Sequence, residues 1–123
     1  RNQIKKCIAG IRDAVEYIND KHSVALMVDQ RVSEGSKVKF FNKNAYTTTL
    51  PAQLSSRFNC DIIPIYISRT HEDLFEMEIL DPIQTSENSN NNKELLTKKI
   101  NEVIEKLVLR DPSQWILTHN RWK

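Results

Sequence analysis

Three histidines, one Asp-Gln step after an apolar run, a Thr triplet and scattered basic residues are the groups in this sequence suited to chemistry. His71 and Glu76 make a His-x4-Glu spacing, in which an imidazole serves as general base and the carboxylate steadies it. That chemistry needs the pair at the end of a buried strand that runs into a helix. Phe75-Glu-Met-Glu-Ile79 instead alternates apolar and polar residues, so Glu76 is expected on a half-exposed strand and His71 at a hairpin tip. Strand geometry then separates the two, and the pair reads as a solvated turn. His22 falls in a turn as well. His119 stands among Trp115, Arg121, Trp122 and Lys123. Basic residues between two tryptophans either bind a phosphate and stack on a ring, or close a fold with the indoles packed inside.

Asp29 is suited to orientation, to proton handling or to a metal. No second carboxylate or histidine lies at ligand spacing, so no metal is expected there. Arg31, Lys37, Lys39, Lys43 and Arg69 make either a cationic rim for an anion or an ordinary charged loop surface. Thr47, Thr48 and Thr49 precede a predicted helix, where hydroxyls and free N–H groups suit an anion and equally make an N-cap. There is no Gly-rich phosphate loop, no Gly-x-Ser-x-Gly and no paired cysteine ligands, and no cofactor is implied.

These groups need a scaffold. Val24 to Val28 is an unbroken apolar run that stops at Asp29-Gln30-Arg31, the pattern of a strand buried on both faces with a polar carboxyl end. Open α/β sheets place their ligand crevices at such ends. Ile4, Ile8, Ile11, Val15 and Ile18 recur at helical spacing up to Asp20. Helix, turn and buried strand together read as half of a βαβ unit. Val38 to Phe41 is a short extended piece, and Asn42-Lys43-Asn44 carries turn chemistry. A helix is predicted over residues 50–59, with Pro51 tolerated in its first turn. Asp61 to Ile67 reads as a second buried strand, and Pro64 places it beside an edge or a bulge. Phe75 to Ile79 pairs with it as a hairpin. Residues 82–92 form a polar loop. Leu95, Leu96, Ile100, Val103, Ile104, Leu107 and Val108 mark a long amphipathic helix that ends before Asp111-Pro112.

At 123 residues the chain is at most one domain, and its net charge of +2 is too small to argue for nucleic acid. Cys7 and Cys60 do not make a disulfide framework and are expected as free thiols. No apolar run is long enough to span a bilayer. The sequence starts without Met inside a predicted helix, which points to part of a larger domain.

Three blocks, taken in order, resemble one family. The first is Val-Ala-Leu-Met-Val-Asp29-Gln30, followed by Gly35 and Phe40-Phe41-x3-Ala45-x-Thr47-Thr48-Thr49. The second is Ile62-Ile-Pro64-Ile-Tyr66. The third is Pro112-Ser-Gln114-Trp115-x3-His119-x-Arg121-Trp122-Lys123. Together they look like the C-terminal portion of the late, HtrB-like lauroyl/myristoyl acyltransferases of lipid A biosynthesis, within the lysophospholipid acyltransferase superfamily. The fold implied is α/β: the C-terminal part of a glycerolipid-acyltransferase-like mixed sheet flanked by helices, with residues 1–123 as part of a single domain.

The resemblance implies transfer of a fatty acyl group from acyl carrier protein to a hydroxyl of a Kdo-bearing lipid A precursor, at the cytoplasmic face of the bacterial inner membrane. The family's His-x4-Asp/Glu general base and its membrane anchor precede the matching region, so the stretch itself is expected to be silent. Carried over by position, Asp29, Gln30, Arg31, Thr47, Thr48 and Arg69 border the cleft, and Trp115, His119, Arg121 and Trp122 form a structural tail. Asn42 replaces the family's usual Gly after Phe-Phe, and Asn120 replaces an Arg in the usual His-Arg-Arg-Trp-Lys ending. The residues alone also allow a second class, a stand-alone anion-binding or interaction module. An exposed apolar sheet surface is expected, and with it self-association.

Overall fold

The computed structural model describes residues 8–33, 35–71, 73–84, 93–115 and 120–123. Helix α1 spans Ile8–Asn19 and buries Ala14, whereas Ile11 is exposed. The helix stops in a Schellman motif: His22 N–H donates to Tyr17 C=O at 2.8 Å and Lys21 N–H to Ile18 C=O at 3.0 Å. Lys21 takes the left-handed conformation, φ 64°, at the position where glycine is commonest. Ile4 of the predicted stripe lies outside the described residues.

The run after α1 does not form the expected strand. Residues 22–28 have no ladder partner, and Leu26 and Met27 are exposed, Met27 by 84%. Only Val28 of this run packs against the core cluster. The reason is pairing. A strand needs a neighbour for its N–H and C=O groups, and the described strands pair only as two separate antiparallel hairpins. The α/β class holds: the described residues form three α-helices and two small antiparallel sheets, and among them no half βαβ unit forms.

The first hairpin joins β1, Ser36–Phe40, to β2, Lys43–Thr47, with Val38 opposite Ala45 and Ser36 opposite Thr47. Its two turn residues, Phe41 and Asn42, both have positive φ, 49° and 60°, the signature of a type I′ turn. Asn42 takes that conformation readily, as its place in the sequence predicts. Phe41 does not, and a left-handed L-residue costs about 1–2 kcal/mol. Its N–H donates to the Glu105 carboxylate at 2.7 Å, and its ring sits against Phe40 and Trp115. Val38, Phe40, Ala45 and Thr47 point inward.

Helix α2, Leu50–Phe58, carries Pro51 in its first turn and ends at Asn59, again left-handed. Helix α3, Lys93–Arg110, buries Leu96, Thr97, Ile100, Asn101 and Ile104. Phe40, Ala45, Ala52, Leu96, Ile100 and Ile104 make the core, with Trp115 and Trp122 packed at its side. Cys60 is a free thiol, as expected, and Cys7 lies outside the described residues.

The second hairpin joins β3, Ile65–Arg69, to β4, Phe75–Ile79, as predicted. Pro64 precedes the strand and offers only its carbonyl, which accepts from Leu80 N–H at 3.0 Å. The expected burial of this strand fails. Ile63, Ile65, Ile67, Phe75, Met77 and Ile79 are all about half exposed or more. The register sets Ile65 opposite Ile79 and Ile67 opposite Met77, so these apolar side chains share one face. On the other face Arg110 of α3 pairs with Glu78 and lies 5.3 Å above the Tyr66 ring. Residues 85–92 of the predicted polar loop lie outside the described residues.

Candidate functional site

The four residues Asn120 to Lys123 are pinned to the first hairpin. Tyr46 N–H donates to Arg121 C=O at 2.8 Å, and the Trp122 indole N–H donates to Phe40 C=O at 3.1 Å. The Trp122 ring stacks on Phe40, 6.0 Å between centroids, and Trp115 meets both rings edge-on. Both tryptophans pack against the core cluster. His119 lies outside the described residues.

Arg121 turns inward between these contacts and is 1% exposed. Its guanidinium carbon stands 4.0 Å from the centre of the Phe40 ring. Its Nη2 donates to Thr47 Oγ1 at 3.2 Å and to Asn101 Oδ1 at 3.3 Å. Asn101 Nδ2 in turn donates to Thr47 Oγ1 and to Lys39 C=O, each at 3.0 Å. Thr47 is thus the meeting point of β2, α3 and the tail. Gly35 lies against its backbone, so closely that an added Cβ would stand 2.7 Å from Thr47 O. Nε and Nη1 of Arg121 have no hydrogen-bond partner among the described residues. Burial pushes the guanidinium below its ordinary pKa, and the Asp29 charge opposes that shift.

Asp29 is half-buried at the bend that follows residues 22–28, and Gln30 beside it is exposed. Arg31 does not offer a free cation. Its Nε donates to Lys123 C=O at 2.9 Å, and its guanidinium lies 5.8 Å from the Tyr46 ring centre. Lys37 covers the same ring at 5.4 Å. Thr48 Oγ1 accepts from Leu50 N–H at 3.3 Å, a local turn at the start of α2, and Thr49 caps the helix without a side-chain bond to its backbone. Arg69 belongs to the second hairpin. Its guanidinium pairs with Asp73, and its N–H donates to the Gln114 side chain at 2.7 Å. No described contact joins Arg69 to the Arg121 cluster. The cleft residues expected from sequence divide accordingly: Thr47 holds the buried arginine, Asp29 sits in the bend that Arg31 ties to the tail, and Arg69 stands apart.

Two members of the cluster were hidden in the sequence. Asn101 lies on the buried stripe of α3 between Thr97 and Ile104, and a polar residue in an apolar stripe is the signal that marks it. Arg121 stands in the Trp115-to-Lys123 tail, where the sequence leaves open whether it binds an anion or closes a packed end. A separate groove of about 450 Å³ runs between α3 and residues 80–84, lined by Pro64, Leu80, Ile83, Val103 and Leu107, and contains none of these residues. Among the described residues, no group of three His, Cys, Asp or Glu is placed to hold a metal ion. No described helix is long and apolar enough to cross a membrane.

Phe40, Thr47 and Arg121 come from the blocks that carry the family resemblance, and Asn101 does not. No curated protein matches the chain. The family model described as bacterial lipid A biosynthesis acyltransferase does match, over residues 2–123, and the chain belongs to that family.

Proposed function

We propose that this chain forms one wall of the cleft in an enzyme that moves a fatty acyl group from acyl carrier protein to a hydroxyl of a Kdo-bearing lipid A precursor. The observation that carries the reading is the meeting of Thr47, Asn101 and Arg121, with the 29–31 bend tied to the same tail through Arg31, in a chain belonging to this family. Acyl transfer to a hydroxyl needs a base for the hydroxyl proton as it attacks the thioester carbonyl. The only His-x4-Glu spacing here is His71–Glu76, with His71 in the exposed turn of the second hairpin and Glu76 exposed on β4. That pair is not the base. The base is supplied by a segment outside these residues, and the wall formed here positions the acceptor.

In this reading the half-buried carboxylate of Asp29 accepts hydrogen bonds from sugar hydroxyls and orients the acceptor. Gln30 beside it offers a donor and an acceptor to the same headgroup. The reaction is placed at the cytoplasmic face of the bacterial inner membrane, with the membrane contact made outside the described helices.

The test is to assay these 123 residues alone for transfer from acylated carrier protein to the lipid acceptor. No product above the uncatalysed rate is expected. Turnover by this chain would overturn the assignment of the base to another segment.

A further inference from the structure

A guanidinium taken out of water needs an opposite charge, because neutral partners solvate it without cancelling it. Arg121 is 1% exposed, and its partners Thr47, Asn101 and the Phe40 ring are all neutral. Two of its nitrogens, Nε and Nη1, find no acceptor among the described residues. The Glu105 carboxylate on the adjacent helix is already engaged by Phe41 N–H. Among the described residues beside the cluster, Arg31 and Lys123 are cations, joined to one another through Arg31 Nε and Lys123 C=O. That bond also brings the bend at residues 29–31 against the tail that carries Arg121, across 92 positions of sequence. Asp29 is half-buried in this bend. Its charge reaches Arg121 without a direct ion pair between the two.

We propose that Asp29 is the counter-charge of Arg121, and that Arg121 is a positioning residue which holds the Asp29–Gln30–Arg31 bend against the first hairpin. The orientation of the cleft wall is then set by a buried cation on the far end of the chain. Phe40 fixes the plane of that cation, and Thr47 and Asn101 fix its Nη2. The catalytic consequence rests on the acyltransferase reading; the charge coupling does not.

The experiment is a double-mutant cycle by urea denaturation with Asp29→Asn, Arg121→Gln and the double variant. An attraction across several ångströms at a partly buried site is worth about tenfold in the folding equilibrium constant. Asp29→Asn is therefore expected to lower that constant about tenfold in the wild type and less than about twofold in the Arg121→Gln background. Equal losses in both backgrounds would overturn the coupling. Should Arg121→Gln fail to fold, the Arg121 Nε–H proton signal decides. Its exchange with water is expected to quicken severalfold in Asp29→Asn and to return towards wild type in Asp29→Glu, which keeps the charge. Unchanged exchange in Asp29→Asn would overturn the proposal. Neither readout uses turnover, so the acyltransferase reading fails or survives separately.

Discussion

Replacing Gly35 by Ala tests whether the bend and the first hairpin meet as described. A Cβ on residue 35 would stand 2.5 Å from Val32 Cγ2, 2.7 Å from Thr47 O and 2.8 Å from Thr47 N. The Val32 methyl can move aside. The Thr47 peptide cannot do so cheaply, because Thr47 is paired with Ser36 in the hairpin and its hydroxyl holds Asn101 and Arg121. Overpacking against fixed neighbours costs about 1–3 kcal/mol. That corresponds to roughly 5- to 150-fold in the folding constant. For a chain of this size the melting temperature is expected to fall by roughly 3–15 °C. Thermal melts followed by circular dichroism check it, with urea denaturation as a second measure. A variant that melts within about 1 °C of wild type would refute the close approach, and with it the placement of residues 32–36 against β2.

Two further outcomes follow from the same contacts. The exposed Asp111 carboxyl is held below the usual carboxylate range, first by the Ser113 side chain and then by Gln114. A folded-state pKa below the unfolded one stabilises the protein above the carboxylate range and ceases to do so as pH falls through it. The wild type's advantage over Asp111→Asn should therefore shrink on acidification from pH ~5 to ~2, and a constant difference would contradict that. The apolar face of the second hairpin should drive self-association, measured by light scattering across a concentration series and relieved by Ile67→Lys or Met77→Lys. A monodisperse wild-type monomer at high concentration would count against it.

The helices were legible because each buries a stripe at its own period. Leu96, Ile100 and Ile104 announce α3, and Pro112 announces its end. The β3–β4 hairpin was legible from the alternation in Phe75-Glu-Met-Glu-Ile79 and the polar turn before it. Val24 to Val28 misled for a physical reason. A continuous apolar run reports affinity for burial, but burial of a strand also requires a neighbour to satisfy its backbone, and a run of side chains does not name that neighbour. Ile65 and Ile67 are exposed for another reason: their backbone is paired with β4, and it is the apolar face of that hairpin that stays open. Strand β2 was hidden because Lys43-Asn-Ala-Tyr-Thr47 begins with turn residues and carries little apolar weight; pairing with β1 makes it a strand.

The site was half legible. Of the residues expected at the cleft, Thr47 holds the buried guanidinium and Asp29 lies in the bend tied to the same tail. Arg121 was marked only as part of a packing tail, since arginine is among the residues least often buried. Its burial becomes readable only when Asn101, Thr47 and the Phe40 ring are seen to surround it.

The most direct test of the cleft reading is the rate of acyl transfer from acyl carrier protein to the lipid A precursor by the complete enzyme carrying Asp29→Ala. Loss of an orienting carboxylate is predicted to lower kcat/KM by about 100-fold or more while the protein remains folded. Wild-type turnover in a folded Asp29→Ala enzyme would contradict the account.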